Sequence, residues 1–168
     1  MKATEFIGTT VLDKDAKNVG KISELAIKLK KCMVDKIFVS TGSALSKKYF
    51  IVVGKDIQKV GDYVQLNLDK AGITEKVHVD KVEDFVEKSS RFKEIVGKVV
   101  VTQEGLEAGK ISDMIIEPKG CLIHNIVITT GGTLRKKDLI ISDEDIDTIG
   151  DYVILKLEKD DLEKKAAD

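Results

Sequence analysis

The chain has 168 residues, of which 42% are hydrophobic and 34% charged, and its net charge of -1 and this composition exclude a disordered or fibrous protein. Two cysteines and two histidines are too few, and too far apart, for a disulfide framework or a zinc site. No apolar run approaches the roughly 18 residues that cross a bilayer, and the N-terminus lacks the apolar core of a signal peptide, so we expect a cytoplasmic protein without direct membrane insertion.

The first 70 residues predict a series of short strands separated by turns. Gly8 and Gly20 interrupt strand-like stretches, which is typical of bulges and barrel corners. The apolar runs at residues 37–39 and 50–53 predict strands covered on both faces. Residues 63–68 alternate between polar and apolar side chains, as in a strand with one buried face. The strands therefore predict a small closed or half-closed β-barrel.

Residues 71–91 interrupt the strand pattern and are predicted to be a partly helical linker. Val82, Phe85 and Val86 have helical spacing, and Asp80 stands where a cap of an amphipathic helix at residues 80–91 would be. Strand signals return over residues 92–157. The stretch 158–168 is charged and almost without large apolar residues, so we expect a frayed helix or a disordered tail there.

The strand-rich segments are two copies of one unit. The words GKIS, at residues 20–23, and GDYV, at residues 61–64, both recur 89 residues later. An ungapped alignment of residues 8–68 with 97–157 gives 24 identities in 61 pairs. We therefore expect a barrel at residues 1–70 and another at 92–157, each with its own sheet, that superpose strand for strand.

Cys32 and Cys121 are one of the identical pairs, and we expect them at equivalent sites in the two copies. One interpretation is a pair of small apolar thiols at matched strand positions in a reducing compartment. The other is a crosslink across a pseudo-twofold axis.

The two copies differ in charge. Residues 1–68 contain 12 lysines and 7 acids, a balance of +5, whereas residues 97–157 contain 7 basic residues and 10 acids, a balance of -3. Opposite balances favour head-to-tail association of one molecule with the next, or with a paralogue. A closed pseudo-dimer within one chain is the alternative.

A candidate interaction surface follows from positions at which the copies differ in polarity, together with one pair of lysines. The differing pairs are Tyr49 with Asp138, Lys55 with Glu144, and Gln65 with Ile154. The resulting candidate residues are Lys47, Lys48, Tyr49, Lys55, Asp138, Glu144 and Ile154.

The sequence predicts no catalytic residue, cofactor or metal. Asp143, Asp145 and Asp147 imitate half of a calcium loop, but Thr148 and Ile154 stand where its glycine and closing acid would be. Residues 129–133 form a glycine-containing stretch that is too short for a phosphate loop. The absence of Trp and the net charge of -1 also argue against a nucleic-acid partner.

The repeated sequence motifs resemble those of a known family. A glycine near the first strand, then VGKISEL at residues 19–25 or AGKISDM at 108–114, then an apolar strand and GDYV, is similar to the PRC-barrel. This small β-barrel occurs in the H subunit of photosynthetic reaction centres and in a ribosome-maturation factor. The resemblance implies an all-β fold of two PRC-type barrels in tandem, joined by a short helical linker, and a binding module in place of an enzyme.

Tandem PRC-barrel proteins occur in archaea, and this chain resembles the archaeal cell-division proteins of that type. The resemblance implies a scaffold at the division site that links the membrane-bound adaptor SepF to the FtsZ ring and associates with itself or a paralogue. An RNA- or ribosome-associated assembly factor that uses Lys47 and Lys48 is the alternative. A barrel that binds a small ligand is a third hypothesis, although so small a barrel has little free interior.

Overall fold

The computed structural model describes residues 1–131 and 136–166. Four short helices lie at Ala3–Phe6 (α1), Lys70–Thr74 (α2), Phe92–Ile95 (α3) and Lys159–Leu162 (α4). The strands are Thr10–Leu12 (β1), Asn18–Lys28 (β2), Met33–Thr41 (β3), Lys48–Val52 (β4), Ile57–Val60 (β5), Tyr63–Leu66 (β6), His78–Val79 (β7), Val99–Val101 (β8), Glu107–Glu117 (β9), Leu122–Thr129 (β10), Asp138–Ile141 (β11), Ile146–Ile149 (β12) and Val153–Leu155 (β13). Single 3-10 turns lie at Leu29–Lys31, Gly54–Asp56, Val82–Asp84, Lys88–Ser90, Asp143–Asp145 and Glu163–Lys165.

The predicted duplication is confirmed element by element. Helix α3 follows α1 by 89 residues, and β8 to β13 follow β1 to β6 at the same offset, to within a residue at their ends. Within each copy the first four strands form an antiparallel meander, and the last strand pairs in parallel with the first. The fold is mostly β, as predicted. Among the described residues no ladder joins β5 to β4 or β12 to β11, so the sheet is open.

Predicted burial of the strands agrees with the structure except at Val53, which is half-buried and lies just beyond the end of β4. The three residues 37–39 are all buried, as expected for a strand covered on both faces. In β6, Val64 and Leu66 are buried while Tyr63 is exposed, which is the expected alternation. Gly20 lies at a bulge with φ +144°, and a Cβ there would stand 2.1 Å from the Ser40 carbonyl oxygen. A side chain is therefore excluded from this corner.

The expectation of two separate sheets is wrong, because β3 and β10 join the copies into one sheet. The junction is a single antiparallel pair, Met33 with Leu122. On either side, Val34 donates its N–H to the Cys121 carbonyl at 3.1 Å, and Ile123 donates to the Cys32 carbonyl at 2.9 Å. The 89-residue offset between the copies converts each of these two hydrogen bonds into the other. The copies are therefore related by a pseudo-twofold axis that passes close to Met33 and Leu122.

Each copy also holds the N-terminal segment of the other. Lys2 pairs with Ile115 of β9, and the equivalent Arg91 pairs with Ala26 of β2. Helix α1 packs on β9 and α3 on β2. One hydrophobic cluster contains buried residues of both copies. Phe6 of the first copy and Phe92 of the second are among them. Two units of about 65 residues are marginal alone, so this exchange supplies part of the core of each.

The linker is mostly irregular, and the predicted helix over residues 80–91 is wrong. This stretch contains two single 3-10 turns, and the first begins after Lys81, so Asp80 does not cap it. Val82 and Val86 are buried as expected, but Phe85 is 43% exposed. The linker pairs with β4 through β7 just before this stretch, and the backbone of Lys81 is still extended, with φ -137° and ψ 135°.

The described part of the C-terminal tail contains a short helix, which was one of the two expectations, and it packs against the core. Helix α4 and a 3-10 turn occupy residues 159–165, and Leu162 is buried in the main core at 7% exposure. Ala166 then pairs with Leu139 of β11. A single leucine anchors this charged stretch, and composition alone did not predict that. The end of the glycine-containing stretch at residues 129–133 lies outside the described residues.

Candidate interaction surfaces

The basic part of the predicted surface lies at the start of β4. Lys47 and Lys48 are exposed, and Lys48 is paired with Thr41 of β3. Tyr49 is only half-buried, because it packs against the small cluster beneath the linker and pairs with Val79 of β7. The two lysines are therefore exposed to solvent, whereas the tyrosine is partly occupied by the chain itself.

Lys55 and Glu144 lie at equivalent 3-10 turns and are both exposed. Under each turn lies a buried aspartate, Asp56 at 5% and Asp145 at 8% exposure. Each aspartate accepts the backbone N–H three residues before it, at 2.9 and 3.0 Å, and each binds a lysine, at 2.8 and 3.2 Å. These aspartates hold the turn shape in both copies, so the charge at the outer position varies without changing the fold.

The acidic and apolar candidates lie on the second copy. Asp138 accepts a hydrogen bond from the Thr129 hydroxyl at 2.8 Å across β10 and β11. Ile154 of β13 is 37% exposed. No described hydrogen bond or ion pair joins any of the seven candidates to another. The structure places them on five separate elements and does not bring them into a single site.

Sequence reasoning missed how the linker covers the outer face of the first copy. Val82 and Val86 pack against Ala26, Phe38 and Ile51, and these five residues form a second hydrophobic cluster on the opposite side of the sheet from the main core. The alternation of buried residues in β3 did not show this, because every residue from 37 to 39 is apolar. Only the path of the linker identifies what covers the outer face.

The neighbouring Arg91 fixes the end of the linker. Its guanidinium lies 3.3 Å from the Glu83 carboxylate, and its backbone pairs with Ala26. Lys36 stands over the exposed ring of Phe85, 5.6 Å from its centroid. Both contacts are partly solvated, so each contributes modestly to stability.

A groove of about 540 Å³ lies between the copies and was not predicted. Its apolar lining comes from Ile27, Leu29, Ile95 and Ile149, and its basic lining comes from Lys28, Lys30, Lys31 and Lys98. Two of the lysines are already engaged: Lys98 donates to the Gly150 carbonyl at 2.6 Å, and Lys28 lies 3.2 Å from Asp35. The groove exists only because the copies pack together, so neither copy's sequence indicates it.

The cysteines lie at equivalent sites, which confirms that expectation, but these sites are turns and not strands. Both residues adopt the left-handed conformation, with φ of 48° and 57°. Both thiols are free, and they contact different groups: the Cys32 thiol lies 3.7 Å from the Leu29 carbonyl, and Cys121 accepts the Gly54 N–H at 3.2 Å. Burial, with the nearby Asp143 carboxylate, raises the pKa of the Cys32 thiol. The thiol is therefore a poorer nucleophile than an ordinary cysteine.

Two buried acids hold the exchanged N-terminal segments. Asp113 of β9 accepts the Thr4 N–H at 3.1 Å, the Thr4 hydroxyl, and the Met114 N–H at 2.8 Å. The equivalent Glu24 of β2 accepts the Leu25 N–H at 2.8 Å. Burial raises the pKa of Glu24, and the backbone N–H of Leu25 and the charge of Lys93 oppose this rise. Both acids serve the junction between the copies.

Within residues 1–131 and 136–166, no group of three or more His, Cys, Asp or Glu side chains is arranged to hold a metal ion. Asp145 points into the protein, whereas Asp143 and Asp147 are exposed, so the three acids of the imitated calcium loop do not converge. No helix in the described part of the chain is long and apolar enough to span a membrane.

Comparison with known proteins supports the structural duplication. The family model described as the PRC-barrel domain matches the chain twice, over residues 1–73 and 87–162. A search of curated proteins gives no match. The PRC-barrel is a non-catalytic type of interaction or assembly domain.

Proposed function

The chain belongs to the PRC-barrel family, and from this premise we propose that it is a non-enzymatic adaptor in archaeal cell division. In this role it links a SepF-type adaptor to the FtsZ ring and is brought to the division site by the membrane-bound partner. The family supplies the interaction-module part of this proposal. The division role comes from the resemblance of the tandem arrangement to archaeal division proteins.

One observation carries the proposal: the two copies share a core but present different outer surfaces. The buried aspartates, the apolar strands and the bulged glycines are repeated, whereas Lys55 is replaced by Glu144 and Tyr49 by Asp138 at equivalent positions. A protein with two rigidly joined and chemically different surfaces is suited to hold two different partners at once.

We also propose that molecules associate head to tail, with each other or with a paralogue. The copies of one chain already pack closely around the pseudo-twofold axis, and this contact uses the β3–β10 junction and the N-terminal segments. The lysines at positions 47, 48 and 55 lie outside those contacts and are exposed. They are available to meet the acidic copy of a second molecule, in an association that salt weakens.

The test is binding of the purified chain to SepF, to FtsZ and to itself, measured by interferometry and sedimentation across a salt series. A variant with Lys47, Lys48 and Lys55 reversed to Glu should lose self-association or one partner. The matched control reverses Lys110, Lys156 and Lys159, three exposed lysines of the second copy that belong to neither proposed surface. Unchanged association of the first variant would refute the surface assignment.

The same binding measurements distinguish the alternative function from the division adaptor. Salt-dependent binding of RNA, without binding of SepF or FtsZ, would replace the division adaptor with an RNA- or ribosome-associated assembly factor. Binding of SepF or FtsZ that is insensitive to RNA would support the division adaptor.

A further inference from the structure

The outer face of the second copy carries an apolar patch that corresponds to the covered face of the first copy. The patch consists of Ile115, Val127 and Ile140, which are equivalent to Ala26, Phe38 and Ile51. Their neighbours along the strands, among them Met114, Ile126 and Leu139, belong to the main core, so the patch residues point away from that core. Val127 and Ile140 are directly paired across β10 and β11. Three aliphatic side chains from adjacent strands thus share the outer face.

In the first copy this face is closed by the chain itself. The linker pairs with β4 through β7 and then places Val82 and Val86, four residues apart, on the equivalent residues. As a result Phe38 is fully buried and Ile51 is 7% exposed. In the second copy Val127 is buried, at 4% exposure, whereas Ile115 and Ile140 are only half-buried, and among the described residues neither hydrophobic cluster includes the three.

The segments that follow the two copies take the same path up to the point where the linker begins to cover the outer face of the first copy. Ile51 donates its N–H to the Val77 carbonyl at 3.0 Å at the start of the linker's path along β4. Ala166, the equivalent of Val77, reaches the same edge of β11 by pairing with Leu139. In the first copy Val82 and Val86 follow this point and lie on the outer face. The first copy therefore shows which peptide chemistry fits this face.

Cations beside the patch match the acidic linker, and the nearby acid, Asp138, already accepts a hydrogen bond from the Thr129 hydroxyl. Residues 77–87 of the linker contain four acids, one lysine and one histidine, so the segment is acidic. In the first copy its Glu83 pairs with Arg91 at 3.3 Å. Lys2 is the equivalent of Arg91, pairs with Ile115 and is exposed, so it presents a cation beside the patch. Lys136 and Lys137, also exposed, stand at the start of β11.

The geometry points to the Ile115–Val127–Ile140 face as a docking site for an acidic peptide segment of a partner protein, which carries two aliphatic side chains four residues apart and a carboxylate that pairs with Lys2. The segment would lie on the second copy as the linker lies on the first. This inference deepens the proposed adaptor function and rests on it, because it assigns one partner contact to a defined face of the second copy. The apolar residues supply the affinity, and the acidic residues set the direction of the segment.

The probe is a synthetic peptide with the sequence of residues 77–87, added to the full chain. Fluorescence anisotropy should show saturable binding at peptide concentrations below about 1 mM. In methyl NMR spectra the signals of Ile115 and Ile140 should shift. The linker already on the first copy resists exchange with free peptide, because its tether gives it an effective concentration in the millimolar range or above.

Matched variants locate the binding. Replacement Ile140→Glu should weaken binding at least tenfold, because it places a carboxylate in the apolar patch next to acidic peptide. Leu106→Glu is the control, since it introduces the same charge at a leucine of the second copy that is 44% exposed and lies outside the patch. Lys2→Glu should weaken binding about three- to fivefold, and a peptide with Glu83→Lys should restore it.

Three results would overturn the inference: no binding of the peptide at about 1 mM, equal binding by the Ile140→Glu and Leu106→Glu variants, or shifts confined to the first copy. Loss of chain self-association in the Ile140→Glu variant, without peptide binding, would assign the face to a second copy instead. Circular dichroism melts verify that each variant is folded. The peptide assay contains neither SepF nor FtsZ, so a negative result here and a negative result for the division role are distinguishable.

Discussion

Replacement Asp113→Ala tests the exchange of N-terminal segments most directly. Asp113 is 7% exposed and accepts three hydrogen bonds, two of them from Thr4 of the other copy. The third, from the Met114 N–H, lies in buried surroundings. Alanine removes every acceptor at once and leaves these donors without a protein partner. We expect the first segment to loosen from β9.

The expected loss in the free energy of unfolding depends on how well water replaces the lost carboxylate acceptor. A hydrogen bond to a charged group contributes about 1.5–3 kcal/mol, and an unsatisfied buried donor costs about 1–3 kcal/mol. Thr4 is exposed, so water can satisfy its N–H and hydroxyl, whereas the Met114 N–H is less accessible. We therefore expect the free energy of unfolding to fall by about 2–4 kcal/mol. This is a large share of the roughly 5–15 kcal/mol typical of a domain.

Urea denaturation measures the global effect, and hydrogen exchange locates it. The Ile116 N–H donates to the Met1 carbonyl at 2.8 Å and should exchange faster in the Asp113→Ala variant. Asp113→Asn keeps one acceptor oxygen and should cost about 1 kcal/mol. Asp160→Ala, at an exposed acid of α4, is the control. A loss below about 0.5 kcal/mol, or a larger loss without faster exchange at Ile116, would refute the reasoning.

Glu24, Gly54 and Cys32 give three further predictions, each with its own measurement. The pKa of Glu24 in the folded protein is raised above its ordinary value of 4.5. The protonated side chain therefore makes its full contribution to stability below pH 4.5, and this contribution is lost as the pH rises through the folded pKa. Glu24→Gln should therefore gain stability relative to wild type as pH rises from 4 to 7 in urea titrations, and a constant difference would contradict this. A Cβ on Gly54 would lie 2.6 Å from the Cys121 sulfur, so Gly54→Ala should lower the free energy of unfolding by about 1–3 kcal/mol, whereas Gly61→Ala, with open space around it, should not. Cys32, with its raised pKa, should react with iodoacetamide at pH 7.5 more slowly than the unfolded chain does, as measured by mass spectrometry in a Cys121→Ser variant.

The exposure of most candidate residues could be predicted, because charged side chains are seldom buried. Lys47, Lys48, Lys55 and Glu144 are all exposed in the structure. Tyr49 is the exception, because the linker reaches β4 and covers part of its ring. The linker's path depends on contacts between distant residues, and its short apolar pattern fitted a helix as well as the observed pair of turns.

The sequence by itself determined the strand set of each copy, because the ungapped 89-residue offset keeps every side chain on the same face of its strand. Repeated glycines and aspartates then placed the bulges and turns. Only the tertiary structure decided how the copies meet. The pairing of Met33 with Leu122 and the placing of α1 on β9 join residues about 90 to 110 positions apart, and such contacts leave no periodic signal in the chain. The cover on the outer face of the first copy was also decided by packing, because it depends on the path of the linker along β4.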